Sequence, residues 1–337
     1  MQFALDLWEM ARGLVLSYLI LPPVNALRLT LSAGTADELA DYFLLMFAQL
    51  AAVALVFRPL ESVVPAEHWP DRKLARVDVT YTLANWFALT PFLTYLALLP
   101  VQAGVDEWLG TGDASGKASW HLGVLFPWLA QHSLLLFLIY FVALDFAQWV
   151  MHRLQHTLGW WWALHSQHHS QRQMSVWTDD RGNVIDNILQ AGFIGAVALV
   201  IGVAPVEYGL ITFLGKMIEN LSHANVRLGF GPVLDKLIVD PIYHRQHHMI
   251  ADPQSPDLHN CNFAFVFPIW DILFRTALYD GKLRPTGVDD AHIDADNRHG
   301  RAGQQLAGAR RFVRAVRQGL LRTTGGLQGS SRRDRMS

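Results

Sequence analysis

The sequence predicts an all-α, integral membrane helical bundle, and three observations predict it. Apolar stretches close to the length of a bilayer's hydrocarbon core recur through the first two thirds of the chain. Only 17% of the 337 residues are charged, where an ordinary soluble chain has roughly a quarter. Histidines gather at helical spacing directly beside the apolar stretches.

Nearest the N-terminus, residues 13–33 are the weakest span candidate, because Pro22-Pro23 interrupt them. Asp6 and Glu9 precede them without a basic region, so the N-terminus reads as retained rather than as a signal peptide. Residues 42–57 with their flanks make a good span. Residues 80–103 make a second, bent at Pro91. Residues 122–150 make a third, long enough to leave the bilayer as a helix. Residues 187–218 break at Gly202-Val203-Ala204-Pro205 and read as a helical hairpin. Each half, of about 15 residues, reaches about 22 Å at ~1.5 Å per residue. That is too short for an upright span, so a re-entrant hairpin or two short packed helices is expected.

Charge sets the orientation. Loop 58–77 carries Arg58, Arg72, Lys73 and Arg76, whereas loop 104–121 sets Lys117 against Asp106, Glu107 and Asp113. Lys/Arg bias puts the first loop inside and the second outside. The third span then delivers His152 to the cytoplasmic face of an inner or plasma membrane. Twelve tryptophans, including Trp160-Trp161-Trp162, suit interfacial belts. From Arg301 onward stand nine arginines and one acid, Asp334. Residues 307–321 fit a basic amphipathic helix lying on anionic lipid, and the last dozen residues look disordered. Three regions result: a membrane-spanning part over 1–121, a histidine-bearing unit over 122–285, and a basic, partly disordered tail over 286–337. No internal repeat is visible.

Composition also excludes. A net charge of −2 gives no bias toward nucleic acid. One cysteine, Cys261, excludes an internal disulfide framework, an iron–sulfur cluster and a Cys-rich zinc site within this chain.

The histidines carry the chemistry. His152 and His156 are four apart, so a helix presents both on one face. His165, His168 and His169 share a face by the same rule, and His244, His247 and His248 repeat the pattern. His223 stands alone between them. One metal cannot use nine imidazoles; two metals with four or five each can, with room for water or oxygen. A single hydrolytic zinc takes about three protein ligands. The count therefore favours a dinuclear centre, and iron is the usual dinuclear choice for oxygen activation. His68, His121, His132, His292 and His299 lack such company and read as structural. A metal-bound imidazole usually passes its other N–H to a carboxylate or carbonyl. By spacing, Asp145, Glu219, Asn220 and Asp240 are candidates for that partner, and Glu219 also for a direct ligand.

Several segments together resemble the fatty acid hydroxylase/sterol desaturase superfamily of membrane di-iron proteins. They are Asp145 to His156, His165 to His169, Asn220 to Asn225, Asp240 to His248, Asn262-Phe263-Ala264, and Ile269 to Thr276, with a looser match at Arg76 to Tyr81. The resemblance implies a helical cap on the cytoplasmic face holding two irons, with the nine histidines as ligands. It implies O₂ as co-substrate, a membrane lipid as substrate, and hydroxylation or desaturation of a C–H bond. Asn262, and His259 three residues before it, join the supporting candidates. The chain departs from the family where Arg-x-His-Pro-x-Glu reads Arg181-Gly182-Asn183-Val184-Ile185-Asp186. No haem-binding or nucleotide-binding motif is present, so electrons are expected from a separate reductase, ferredoxin or cytochrome. Two rival readings remain open, a membrane zinc hydrolase with Glu219 as its base and a non-catalytic metal-binding membrane protein.

Overall fold

The computed structural model describes residues 2–26, 28, 33–69, 71–87, 104, 107, 108, 121–250 and 260–333. Among them the regular elements are helices, and backbone pairing of the β kind is limited to isolated bridges, Pro65 with Val226 and Met249 with Thr286.

Helix α1, Gln2–Val15, continues through a π-helical turn at Leu16–Ile20 into Leu21–Ala26. Pro22 and Pro23 therefore do not break it. They lie just beyond a π turn whose hydrogen-bond register has already slipped, where a missing N–H costs less. Trp8 and Arg12 tie α1 to Asp41 of α2, Ala36–Val63, the first helix long and apolar enough to cross a membrane. Helix α3 is Lys73–Phe87. Most of the expected 80–103 segment, with Pro91, lies outside the described residues.

Two single-turn helices, Leu122–Leu125 and Pro127–Ala130, occupy the first part of the expected 122–150 span. The long helix α4 starts only at Ser133, after Pro127 and a His132 whose backbone is not helical (φ −120°, ψ 66°), and runs 25 residues to Thr157. Leu134, Leu135, Leu138 and Val142 are exposed on it, as a lipid-facing surface would be. Extended Leu158 then turns the chain into α5, Gly159–His169.

The hairpin is present, with longer arms than its apolar run suggests. Helix α6, Val184–Ile201, has 18 residues, which gives about 27 Å and is enough to cross. It starts three residues early because the Asn183 side chain accepts the Ile185 N–H as its cap. Gly202, at φ +83, closes it. Helix α7, Pro205–His223, returns. Ile194 and Ala198 of α6, Ile211 of α7, Tyr140 and Leu144 of α4 and Trp161 of α5 share one core. Within lipid this packing rests on dispersion more than on water release. Helix α8, Pro241–His247, and the short α9, Ile269–Leu273, complete the unit. Helix α10, Arg301–Arg333, lies along α5, with Phe312 against Trp160.

Candidate metal centre

Four helix ends converge on one buried place. The last turns of α4 carry His152 and His156, and α5 folds back from Leu158 to bring His165, His168 and His169 beside them. His223 ends α7. His244 and His247 lie on α8, with His248 at its C-cap. The hairpin thus returns the chain to the side it left, as the positions of His156 and His223 require.

The nine side chains sort into two groups. His152, His156, His165, His169 and His247 form one; His168, His223, His244 and His248 form the other. Within each, the candidate ligand atoms all lie within 4.8 Å of one another. His169 of the first group stacks on His248 of the second at 4.3 Å between ring centroids, so the two groups adjoin.

The hydrogen bonds fix which nitrogens face inward. Nδ1 of His152 donates to the Phe263 carbonyl at 2.8 Å, His168 to Arg181 at 3.0 Å, His223 to Glu219 at 2.8 Å and His247 to Cys261 at 2.7 Å. A carbonyl can only accept, so each of these Nδ1 atoms holds its proton, and in a neutral ring Nε2 is a bare lone pair. Yet Nε2 of His168 and Nε2 of His223 stand 3.2 Å apart, lone pair toward lone pair. His244 Nε2 is 3.0 Å from the same His223 atom, and Nε2 of His156 and His169 are 3.1 Å apart. Nε2 of His152, His165, His247 and His248 is buried with no hydrogen-bond partner. Protons are a poor remedy for this crowding. Burial pushes His168 well below the ordinary histidine value and His223 down to about 3. Cations held between the nitrogens answer it, and imidazole suits iron, zinc and copper. The donor set therefore fits metal.

Residues 137–276 match the fatty acid hydroxylase family. That match covers 140 of the 337 residues. Alkylglycerol monooxygenase of Caenorhabditis elegans is 28% identical over 139 residues, covering 39% of this chain and 25% of that protein. Alkylglycerol monooxygenase of Homo sapiens is 29% identical over 136 residues, 40% of this chain and 29% of that protein. The matched stretch thus spans under a third of these curated relatives. No solved structure matches.

The groups around the family's histidines are only partly those that spacing suggests. Asp145 touches no histidine; it accepts Val266 N–H, Phe267 N–H and the Trp270 indole, fixing the strand of chain that presents Phe263. Glu219 orients His223 through its backbone carbonyl, while its carboxylate pairs with Lys216 at 2.8 Å. Asn220 donates to Asp179, whose carboxylate stands 3.6 Å from His223 Nδ1, and accepts from Gln49. Asp240 caps α8 through Tyr243 N–H. Asn262, at φ +56, is pinned to Tyr243 and Leu278, and the carbonyls on either side of it serve His247 and His152. His259 lies outside the described residues.

Two carboxylates escaped the spacing argument. Asp186, at the start of α6, accepts from His165 Nδ1 at 3.2 Å, from Gln155 at 2.9 Å and from the Trp161 indole at 2.8 Å. It occupies the glutamate position of the family's Arg-x-His-Pro-x-Glu, which was the available signal. Asp271 is buried and gathers Trp149, Tyr243, Thr276 and two backbone N–H groups; its signal was its place in the resembling segment Ile269 to Thr276 rather than any spacing to a histidine. Arg181 of that turn is held by Asp78 at 2.7 Å, which accounts for the looser match upstream.

Proposed function

We propose that this chain is a membrane-bound di-iron monooxygenase, with the nine histidines as ligands, that hydroxylates a C–H bond of a membrane lipid using O₂ and two electrons from a separate redox protein. The observation that carries this reading is the pair of adjoining nitrogen cages, five and four histidines, in which the Nε2 atoms of His168 and His223 face each other with both protons held on Nδ1. Two irons bound there would supply the oxidising power that an unactivated C–H bond demands. The chain's own residues do the rest. Backbone carbonyls of Arg181, Glu219, Cys261 and Phe263 lock the ring tautomers, and Asp186 makes His165 a stronger donor. Burial of the cages excludes water. Phe263 and Phe265 pack against His152, and Phe265 continues into the helical core, an apolar approach suited to a lipid chain.

Residues 122–285 are taken as the catalytic unit, 1–121 as membrane anchor and 286–337 as a C-terminal extension. The basic loop after α2 lies at the site: Ala66 N–H bonds the Asn225 carbonyl at 3.1 Å and Glu67 pairs with Arg245 at 2.8 Å. Lys/Arg bias then supports a cytoplasmic site. The relatives' monooxygenase name favours hydroxylation over desaturation, and it makes an alkylglycerol the first substrate to assay. The hydrolase reading loses support because Lys216 engages the Glu219 carboxylate that would serve as base.

The test is metal analysis and Mössbauer spectroscopy of iron-57-grown protein in detergent, followed by lipid analysis under ¹⁸O₂. About two coupled irons per chain and one labelled oxygen in a lipid product are expected. One zinc and no iron under iron-replete growth would sink the reading.

A further inference from the structure

The turn Arg181–Asp186 serves both cages at once. The Arg181 carbonyl accepts from Nδ1 of His168, a member of the four-histidine group. Five residues on, the Asp186 carboxylate accepts from Nδ1 of His165, a member of the five-histidine group. A shift of this turn moves one ligand of each group.

The middle of the turn has little hold of its own. Gly182 has no side chain, and the residue after it is Asn183, where the family often has histidine. Two neighbours hold it: Gln167 of α5 donates to the Gly182 carbonyl at 3.2 Å and accepts from Asn183 Nδ2 at 3.4 Å, and the shorter bonds come from far along the chain. Gln305, on α10, meets the turn through three hydrogen bonds. Its Nε2 donates to the Gly182 carbonyl at 2.6 Å, its Oε1 accepts the Val184 N–H at 2.8 Å, and its own carbonyl accepts Asn183 Nδ2 at 3.0 Å. The helix can come this near because Gly308 faces the same place. A Cβ there would stand 2.6 Å from Asn183 Nδ2 and 2.9 Å from Gln167 Oε1. The neighbouring Gln304 is also buried but points elsewhere, accepting from Tyr81 and donating to the His299 carbonyl.

We infer that Gln305 is a positioning residue for the metal centre: from the C-terminal helix it braces the Gly182–Val184 turn, and through Arg181 and Asp186 it sets one histidine in each cage. The inference rests on the reading of the two cages as metal sites. Asn183 then has a reason in this chain. It caps α6 with its oxygen and ties α10 with its nitrogen, two tasks for a short amide. The arginine-rich segment is thereby joined to the site at its start, whatever its later part does.

The experiment uses the full chain in nanodiscs, stripped of metal and titrated with ferrous iron against a chromophoric chelator, with thermal melting of each metal-free protein alongside. Gln305→Met keeps the volume and removes both side-chain bonds. Gln305→Glu keeps the acceptor for Val184 but sets a carboxylate oxygen against the Gly182 carbonyl, and is the second variant should the first fail to fold. Gln304→Ala loosens the same helix and reaches the turn only at second hand, through Tyr81 and Gln167. Removing an outer partner of a metal ligand typically weakens metal binding 10- to 100-fold. A loss of at least ~10-fold is expected for Gln305→Met and for Gln305→Glu, and near wild-type binding for Gln304→Ala despite a lower melting temperature. Wild-type affinity in Gln305→Met, or equal metal loss in Gln304→Ala and Gln305→Met, would overturn the brace while leaving the cages standing. Failure of the wild type to take two metals would overturn the reading of the cages, and the brace with it.

Discussion

At the scale of the residue, the site is organised by what lies behind each imidazole. Four rings lean on backbone carbonyls, which substitution cannot delete, and one leans on a carboxylate, which it can. Asp186→Asn retains shape but loses the charge that strengthens His165 as a donor. Weaker metal binding by roughly 10- to 100-fold, felt first in the five-histidine group, is expected, and chelator competition measures it. Equal retention of both irons would refute that role. The nine histidines were legible in the sequence because helical spacing alone puts each cluster on one face. Their partners were not, because most are main-chain atoms, which carry no residue signature. Asp186 lies 21 residues from His165, beyond any single-helix argument.

At the scale of the element, the hairpin decides whether His223 reaches the other eight. Gly202 makes the bend at φ +83, and Tyr140 of α4 donates to its carbonyl at 3.0 Å. An added Cβ would stand 2.4 Å from the His121 ring. Gly202→Ala therefore combines left-handed backbone strain of about 1–2 kcal/mol with a clash against a ring. A lower melting temperature and weaker iron retention in the four-histidine group are expected; unchanged values would mean the bend tolerates relocation. The break at Gly202–Pro205 was readable, since Gly and Pro punctuate helices. The true start of α6 was not, because its cap, Asn183, is polar and stands outside the apolar run used to measure length. The same limit applies at α4, where Pro127 and a non-helical His132 delay the helix to Ser133.

At the scale of the whole molecule, a membrane bundle ends in a cage of nitrogen lone pairs, and this makes the metal-free protein sensitive to acid. The lone pairs repel unless a cation or proton separates them, and burial disfavours the proton. His223 and His247 are each pushed down to about 3, and His169, His244 and His248 well below their ordinary value, in every case chiefly by burial. In the unfolded chain each would titrate near 6.5. Above about pH 6.5 both states are neutral there, and pH changes nothing. As pH falls from about 6.5 toward 3, the unfolded chain takes up protons that the folded chain refuses, so folding stability falls. Each group that stays neutral contributes up to ~1.4 kcal/mol per pH unit in that window. The melting temperature of the metal-free protein should accordingly hold steady from pH 8 to 7 and drop between pH 6.5 and 5. With iron bound, the same nitrogens are engaged, so the drop should begin at lower pH and coincide with metal release, since protons and metal compete for Nε2. Melting curves over this range with and without iron decide the matter. Identical curves would mean that the histidines do not hold the metal, and a metal-free protein stable at pH 5 would mean that the cage relaxes to find other partners.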